Sequence, residues 1–309
     1  MKNFSGTEFG NKAAGFDKPT QLPRDDTQRR QWQAANKAWW ESTPMRYDWR
    51  EGIAPTPGSE AYFSEIDRRF LLSAHKYMPW RSTPFDEVIS FDDLHTKDVL
   101  EIGVGQGTHA QLLAQRCKSF TGIDLTTAAA EMTAQRFRLF NIPGTILQMD
   151  AENMNFADNS FDFIWSWGVI HHSADTRRVL EEMHRVLKPG ATCAVMVYYK
   201  SWWNFYVCGL LRGVFLQQFK KQGGFHHVSQ GATDGAIARY YTRREWRQTI
   251  SSLFQIESMQ VYGLKTDILP LPHSRFKQFL EDLVPDGVAR FLTHHLRWGT
   301  FLVVNMRKA

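Results

Sequence analysis

The chain has 309 residues, 43% of them hydrophobic, with a formal net charge of +5 and a sequence pI near 9.1; that length buries one large core or two modest ones. Its three cysteines, Cys117, Cys193 and Cys208, show no paired spacing, which argues against a disulfide framework or a thiolate metal site and suggests a reducing setting. The basic clusters Arg29-Arg30, Lys220-Lys221 and Arg243-Arg244 are short, so a solvated surface is expected rather than a nucleic-acid partner; no segment approaches the ~20 apolar residues of a membrane span, so no membrane insertion is expected.

Residues 1–30 are polar, rich in Gly, Pro, Lys and Asp, and lack the apolar run of a signal sequence. They read as a flexible tail of a cytoplasmic protein. Composition changes at Gln31, after which Trp32, Trp39, Trp40, Met45, Tyr47 and Trp49 follow in quick succession. A helix is expected over about Arg30 to Ser42, ending before Pro44, and a turn at Pro55–Gly58. Ala61 to Lys76 has Tyr62, Phe63, Ile66, Phe70, Leu71 and Ala74 at helical spacing. Residues 31–96 are therefore expected to form an N-terminal helical cap.

The segment 97–199 alternates strand and helix. Val99, Leu100 and Ile102 make the apolar run of a buried parallel strand, interrupted by Glu101 near its carboxyl end. Gly103, Gly105 and Gly107 follow, a turn that lets a ligand approach the backbone, and Thr108 to Arg116 reads as the next helix. A dinucleotide fold asks for G-x-G-x-x-G, and here the third glycine comes one residue early. Phe120 to Asp124 is a second strand ending in an acid, placed to accept both hydroxyls of a ribose. Thr145 to Asp150 is a third, again ending in an acid, so three strand-terminal acids point at one crevice. Arg177 to Leu187 is an amphipathic helix stopped by Lys188-Pro189-Gly190, and Thr192 to Tyr198 reads as the fifth strand.

Beyond it, residues 200–252 begin with the aromatic and aliphatic stretch Ser201 to Phe219, continue through polar, glycine-rich residues from Lys220 to Gly235, and reach a helix capped by Thr242. Glu245 sits three residues on, as in a capping box, and Trp246 and Ile250 face the core. Residues 253–309 hold two strands, Phe254 to Val261 and Thr300 to Met306, separated by about 38 residues that include Ser274 to Val284 and Gly287 to Leu296.

Four blocks, VLEIGVGQG, TGIDLT, QMDAENMNFADNSFDFIWSWGVIHH and RRVLEEMHRVLKPGATCAVMVYY, make residues 97 to 199 resemble the class I S-adenosylmethionine-dependent methyltransferases, in particular the small-molecule branch that includes the quinone methylases. The resemblance implies an α/β fold: a Rossmann-like seven-stranded sheet with helices on both faces, the seventh strand antiparallel, and helical lids around the active site. It implies that Glu101 and the main chain of Gly103, Val104 and Gly105, with Gly107 completing the turn, hold the methionine part of S-adenosyl-L-methionine. It further implies that Asp124 holds the ribose, that Leu125 packs on the adenine, and that Asp150 and Ala151 meet the adenine edge. Trp167 falls where the family often lines the cofactor pocket, with core packing as the alternative. Ser166-Trp167-Gly168-Val169 stands where DNA amine methyltransferases carry Asp/Asn-Pro-Pro-aromatic, and the paired glutamates of protein arginine methylation are absent from that place.

A sulfonium is already a good methyl donor, so such an enzyme must align a nucleophile, exclude water and, for an alcohol or amine, remove a proton. His171 and His172, after the fourth strand, are the candidate bases, with a turn-positioning role as the alternative. Tyr47, Tyr206, Arg239, Tyr240 and Tyr241 are candidate substrate contacts; the histidine pair His226-His227 reads as solvated. No His/Asp/Glu cluster shows ligand spacing on one element, and no metal is expected. The aromatic lids favour a small acceptor of apolar, ring-containing or sugar-containing character in a biosynthetic pathway. Methylation of RNA or protein, and an inactive cofactor-binding scaffold, stay open at this point.

Overall fold

The computed structural model describes residues 13–47, 52–215, 217–222, 224–271 and 274–309; the tail's first twelve residues and Trp49 lie outside them. Seven strands form one sheet: β1 (Asp98–Ile102), β2 (Ser119–Asp124), β3 (Thr145–Gln148), β4 (Phe161–Trp167), β5 (Leu187–Tyr198), β6 (Phe254–Tyr262) and β7 (Phe301–Lys308). Their order is β3-β2-β1-β4-β5-β7-β6. The first five pair in parallel, and β7 runs antiparallel between β5 and β6. The chain leaves β1 outward to β2 and β3 and returns to β4 on β1's other side. That reversal opens a crevice at the carboxyl ends of β1 and β4, where open α/β sheets bind ligands.

Both faces of the sheet are covered, which is why β1, β4 and β5 are apolar runs rather than alternating ones. One face packs α5 (Thr176–Val186) and α9 (Arg243–Ile250) through Val179, Leu180, Met183 and the fully buried Trp246. On the other lie α2 (Glu60–Tyr77), α3 (Thr108–Ala114) and α4 (Thr127–Leu139), with Phe70, Phe85, Leu113 and Phe137 in the core. Helix starts follow their caps. Asp25 accepts from Gln28 N ahead of α1 (Asp26–Ser42), and Ser59 accepts from Tyr62 N ahead of α2. Thr242 and Glu245 form the expected reciprocal capping box on α9.

Three expectations are corrected. Residues 13–30 are not a loose tail. Ala13 and Phe16 are buried with Trp32 and Ile237, Ala13 N donates to Ala236 O at 3.1 Å, and the Trp32 indole donates to Ala14 O at 2.8 Å. Phe16 packed on Trp32, together with these hydrogen bonds, anchors the segment. Second, Lys188-Pro189-Gly190 does not separate helix from strand: β5 begins at Leu187, paired with Phe161, and the register then shifts so that Phe163 meets Thr192. Gly190, at φ +72°, takes the backbone that an irregular strand requires there, and Pro189 is tolerated because no ladder bond is asked of it. Third, the polar stretch after Lys220 contains α8 (Phe225–Gly231), with His226 and Val228 buried; a ring contact of 4.9 Å to Phe16 removes His226 from solvent. It follows a π-helical turn over Trp202–Cys208 and two short helices, α6 (Gly209–Phe215) and α7 (Gln218–Gln222). Between β6 and β7 the connection carries α10 (Arg275–Leu283), α11 (Asp286–Arg290) and a second π turn, Phe291–His295.

Candidate active site

The β1–α3 turn is built so that only glycine serves at its start. Gly103 has φ +83°, and a Cβ there would come within 2.2 Å of Val169 Cγ2, so the turn presses against the residue that follows β4. Gly105, at φ +53°, faces open space with nothing within 4 Å of an added Cβ. Its amide donates to Asp124 Oδ2 at 3.2 Å, and Thr133 Oγ1 donates to its carbonyl at 3.0 Å. Val104 is buried beneath the turn, and Gly107 caps α3 at φ +80°. Arg136 supports the turn from α4, donating to Gln106 O at 3.1 Å while ion-paired with Asp67 of α2.

Two carboxyl groups share this turn. Glu101 is buried, and its Oε2 has no hydrogen-bond partner among the described residues. Burial, with Asp124 adding repulsion, raises its pKa well above the usual carboxylate range, and the Arg136 guanidinium only partly opposes this. Asp124 accepts from the Thr126 amide at 2.9 Å and its hydroxyl at 2.8 Å. Burial still outweighs these bonds and moves its pKa upward. A buried acid with an unpartnered oxygen beside a second acid of raised pKa suits a ligand that brings positive charge.

Leu125, half-buried, follows Asp124, and Gln148 Nε2 donates to its carbonyl at 3.0 Å. Asp150 lies two residues past the end of β3, beside the half-buried Ala151. Helix α1 roofs this end of the crevice. Gln33 Nε2 donates to Asp150 Oδ1 at 2.8 Å while Gln33 Oε1 accepts from Ala174 N at 3.1 Å. Arg29 reaches Glu152 at 3.1 Å, and Glu41 accepts from the first amides of α4 at 3.1 and 2.9 Å. Burial lifts Glu152 to about 7, against the Asp175 amide and Arg29 that hold it down.

The two histidines differ. His172 is fastened: its Nδ1 lies 2.6 Å from Ile237 O, and Trp40 of α1 meets its ring at 5.0 Å. His171 is fully buried, and neither ring nitrogen has a well-aligned hydrogen bond among the described residues, although the Met196 main chain lies within weak reach. Its ring sits 4.0 Å from Tyr198 and 4.2 Å from His172. Burial, with His172 and Arg239 nearby, drives its pKa well below the usual imidazole value. It is neutral at physiological pH.

The five candidate substrate residues scatter. Tyr47, at φ +56° and against Phe70 at 5.1 Å, is close enough to feel both Asp67 and Glu101, and its phenol is pushed upward by burial. Tyr240 stacks on Tyr198 at 5.5 Å, but its hydroxyl is engaged by Thr233 and by Ser229 O. Arg239 is fully buried and committed to the main chain, with bonds to Ser173 O, to Ala174 O at 2.6 Å and to Gln21 O at 2.7 Å. It clamps the N-terminal segment onto the loop after β4. Tyr241 packs on Trp246 at 4.9 Å inside the core, and Tyr206 stands on the outer surface, 46% exposed. The clamp and the core packing take Arg239 and Tyr241 away from a substrate role. Trp167 stacks on Trp165 at 5.2 Å and meets Phe85 and the Tyr77 hydroxyl, so it is largely a core residue on the crevice wall.

Two members of this cluster escape a sequence reading. Tyr198 ends β5 and touches His171, His172 and Tyr240. Its position as the last residue of a strand was the available signal. Trp40 had only its place in an aromatic run.

Residues 100–195 match the family described as methyltransferase domain. The phthiotriol/phenolphthiotriol dimycocerosates methyltransferase of Mycobacterium tuberculosis is 40% identical over 101 residues, 32% of this chain and 36% of that protein. The chain thus spans about a third of the length of such relatives. Among solved structures, a chain from the complex containing the Haloferax volcanii Trm112 methyltransferase activator superposes with a TM-score of 0.52 at 18% identity, covering 81% of this chain and 96% of that one. An S-adenosylmethionine-dependent methyltransferase of Methanosarcina mazei has a TM-score of 0.49 at 20% identity, covering 72% and 96%.

Proposed function

We propose, from the premise that residues 100–195 are a methyltransferase domain of the S-adenosylmethionine-dependent kind, that this protein methylates a small apolar or aromatic acceptor. One observation carries the reading. Glu101, buried with an unpartnered Oε2 among the described residues, stands next to Asp124, whose pKa burial also raises, beside the open backbone of Gly105. A nucleoside bearing an ammonium and a sulfonium neutralises that pair, and a dinucleotide phosphate would be repelled by it.

The donor supplies an electrophilic methyl group when bound. Glu101 and the main chain of 103–105 hold its methionine end, Asp124 accepts from the ribose hydroxyls, and Asp150 with Ala151 borders the base under Gln33 of α1. Helix α1 and the Trp40–His172 contact exclude water. His171 receives the acceptor's proton at one of its free ring nitrogens. Its low basicity is sufficient because an acceptor O–H or N–H becomes strongly acidic as its bond to the methyl carbon forms. Tyr198, Tyr240 and Tyr47 offer ring faces to the acceptor, which is why an apolar or aromatic molecule suits the site. The named relative is a phthiotriol/phenolphthiotriol dimycocerosates methyltransferase, a name in keeping with this.

The test is incubation with methyl-labelled S-adenosylmethionine and a metabolite extract, followed by mass spectrometry. Label in a low-mass apolar product is expected. Label confined to RNA or protein overturns the acceptor assignment, and retention of all label in the donor overturns the activity.

A further inference from the structure

Helical faces normally turn apolar side chains inward, and two elements flanking the acceptor side do the reverse. Along the π turn Trp202–Cys208 and α6, residues Trp202, Tyr206, Leu210 and Val214 recur every fourth position, and each is about half exposed. Phe215, at the end of α6, is 77% exposed. On α10, Phe276, Phe279 and Leu283 are 65%, 59% and 63% exposed, while the buried residues of that helix are Lys277 and Glu281. The helix is amphipathic with its polar side inside.

The two elements pack against a common segment, residues 266–268: Lys277 Nζ of α10 donates to Thr266 O at 3.1 Å. The Trp202 indole donates to Leu296 O at 3.2 Å, the Trp203 indole donates to Asp267 O and Ile268 O at 3.1 Å, and Trp203 stacks on Trp298 at 4.2 Å. Both sets of exposed apolar residues therefore stand on elements that share one neighbouring segment. Exposed apolar surface on this scale marks an interaction site.

Charge selects the partner. Between Lys200 and Thr233 the sequence has no acid; Lys200 is ion-paired with Glu245 and Arg212 donates to Asn204 O at 3.4 Å, while Lys220 is exposed. On the α10 side Asp267 and Glu281 are buried and Asp286 is paired with Lys265 at 2.7 Å, leaving Asp282 against exposed Arg275 and Arg297. Exposed aromatic and aliphatic side chains rimmed by excess positive charge are the composition of a helix pair that lies in an anionic lipid interface. No helix among the described residues is long and apolar enough to cross a membrane, so the attachment is peripheral. We propose that this face docks the protein on the surface of an anionic lipid bilayer.

A chain of ring contacts links this face to the interior of the site. Tyr206 touches Phe205 at 5.1 Å, Phe205 touches Tyr240 at 5.3 Å, and Tyr240 stacks on Tyr198 beside His171. Docking would thus bring the acceptor end of the crevice to where apolar molecules partition. Vesicle binding is read without turnover, so the inference stands or falls apart from the methyl-transfer reading.

Co-sedimentation of the full chain with phosphatidylcholine vesicles, with and without about one third phosphatidylglycerol, tests it. Binding to the anionic vesicles is expected, weakened by salt, and reduced about tenfold or more by Phe276→Ser with Phe279→Ser or by Leu210→Glu. These positions are exposed, and unchanged thermal unfolding confirms that the variants fold. Absence of vesicle binding overturns the proposal, as does binding indifferent to phosphatidylglycerol and salt. A concentration-dependent dimer in sedimentation velocity that the same substitutions abolish, without vesicle binding, assigns the face to a second copy and overturns it too.

Discussion

The two ends of the crevice solve opposite problems. At the end of the crevice by the glycine turn, Glu101 is buried with no partner for its Oε2 among the described residues, and burial raises Asp124 despite its bonds to Thr126 and the Gly105 amide. At the acceptor end, the polar groups that sequence alone would offer to a substrate are consumed by the fold, Arg239 by three carbonyls and Tyr240 by Thr233 and Ser229. The His171 ring nitrogens, by contrast, have no well-aligned partner among the described residues. Unsatisfied buried groups cost free energy unless a ligand completes them, so the glycine-turn end together with His171 is where ligand chemistry belongs. The committed groups of the lid are architecture.

Substitutions can break this contrast. The largest effect is expected from Arg239→Met, which leaves three carbonyls, two of them in buried bonds, without their donor and should cost about 3 kcal/mol or more in stability, read by denaturant unfolding. A loss below about 1 kcal/mol would mean the clamp is dispensable. Asp124→Asn keeps the shape near Thr126 but removes the charge, and calorimetry should show donor affinity falling about a hundredfold, near 2.8 kcal/mol. Undiminished affinity would remove Asp124 from the ribose site. His171→Asn should lower kcat by about a hundredfold with KM little changed, whereas His172→Asn, acting through Ile237 and Trp40, should move KM more. Equal effects at both would erase the distinction between a base and a positioning residue.

Glu101→Gln sharpens the contrast through opposite signs. The folded protein holds a proton on Glu101 more tightly than the unfolded chain does, so stability is fully present below the ordinary carboxylate pKa and declines as pH rises through the raised value. The Gln variant should lose that decline and unfold at a higher temperature than the parent at about pH 8, with a smaller difference at about pH 5. Its donor affinity should nonetheless fall about tenfold, since the positive charge has lost its partner. Smallest of all, Tyr206→Ala on the outer surface should change stability by no more than about 0.5 kcal/mol.

Much of the geometry around the glycine turn was legible because its parts are local. A strand, a glycine turn and an acid at each strand end lie within a few residues of one another, and the parallel pairing of Glu101 with Gly122 and of Asp124 with Gln148 brings them together without further information. The cap of α9 was legible for the same reason. Long-range pairings were not. Ala13 with Ala236, Gln33 with Asp150 and Arg239 with Gln21 join residues whose local sequence looks like tail, helix surface and substrate contact.

The alternation of strands and helices, the glycine turn with its early third glycine, and the three acids were settled by the sequence itself, because propensity, periodicity and turn chemistry act over neighbouring residues. Which polar groups remain uncommitted was decided only by the tertiary structure. Among the described residues Glu101 Oε2 and the ring nitrogens of His171 lack a well-aligned partner while Arg239, Tyr240 and His172 are taken, because satisfaction of a buried group depends on what the rest of the chain carries to it.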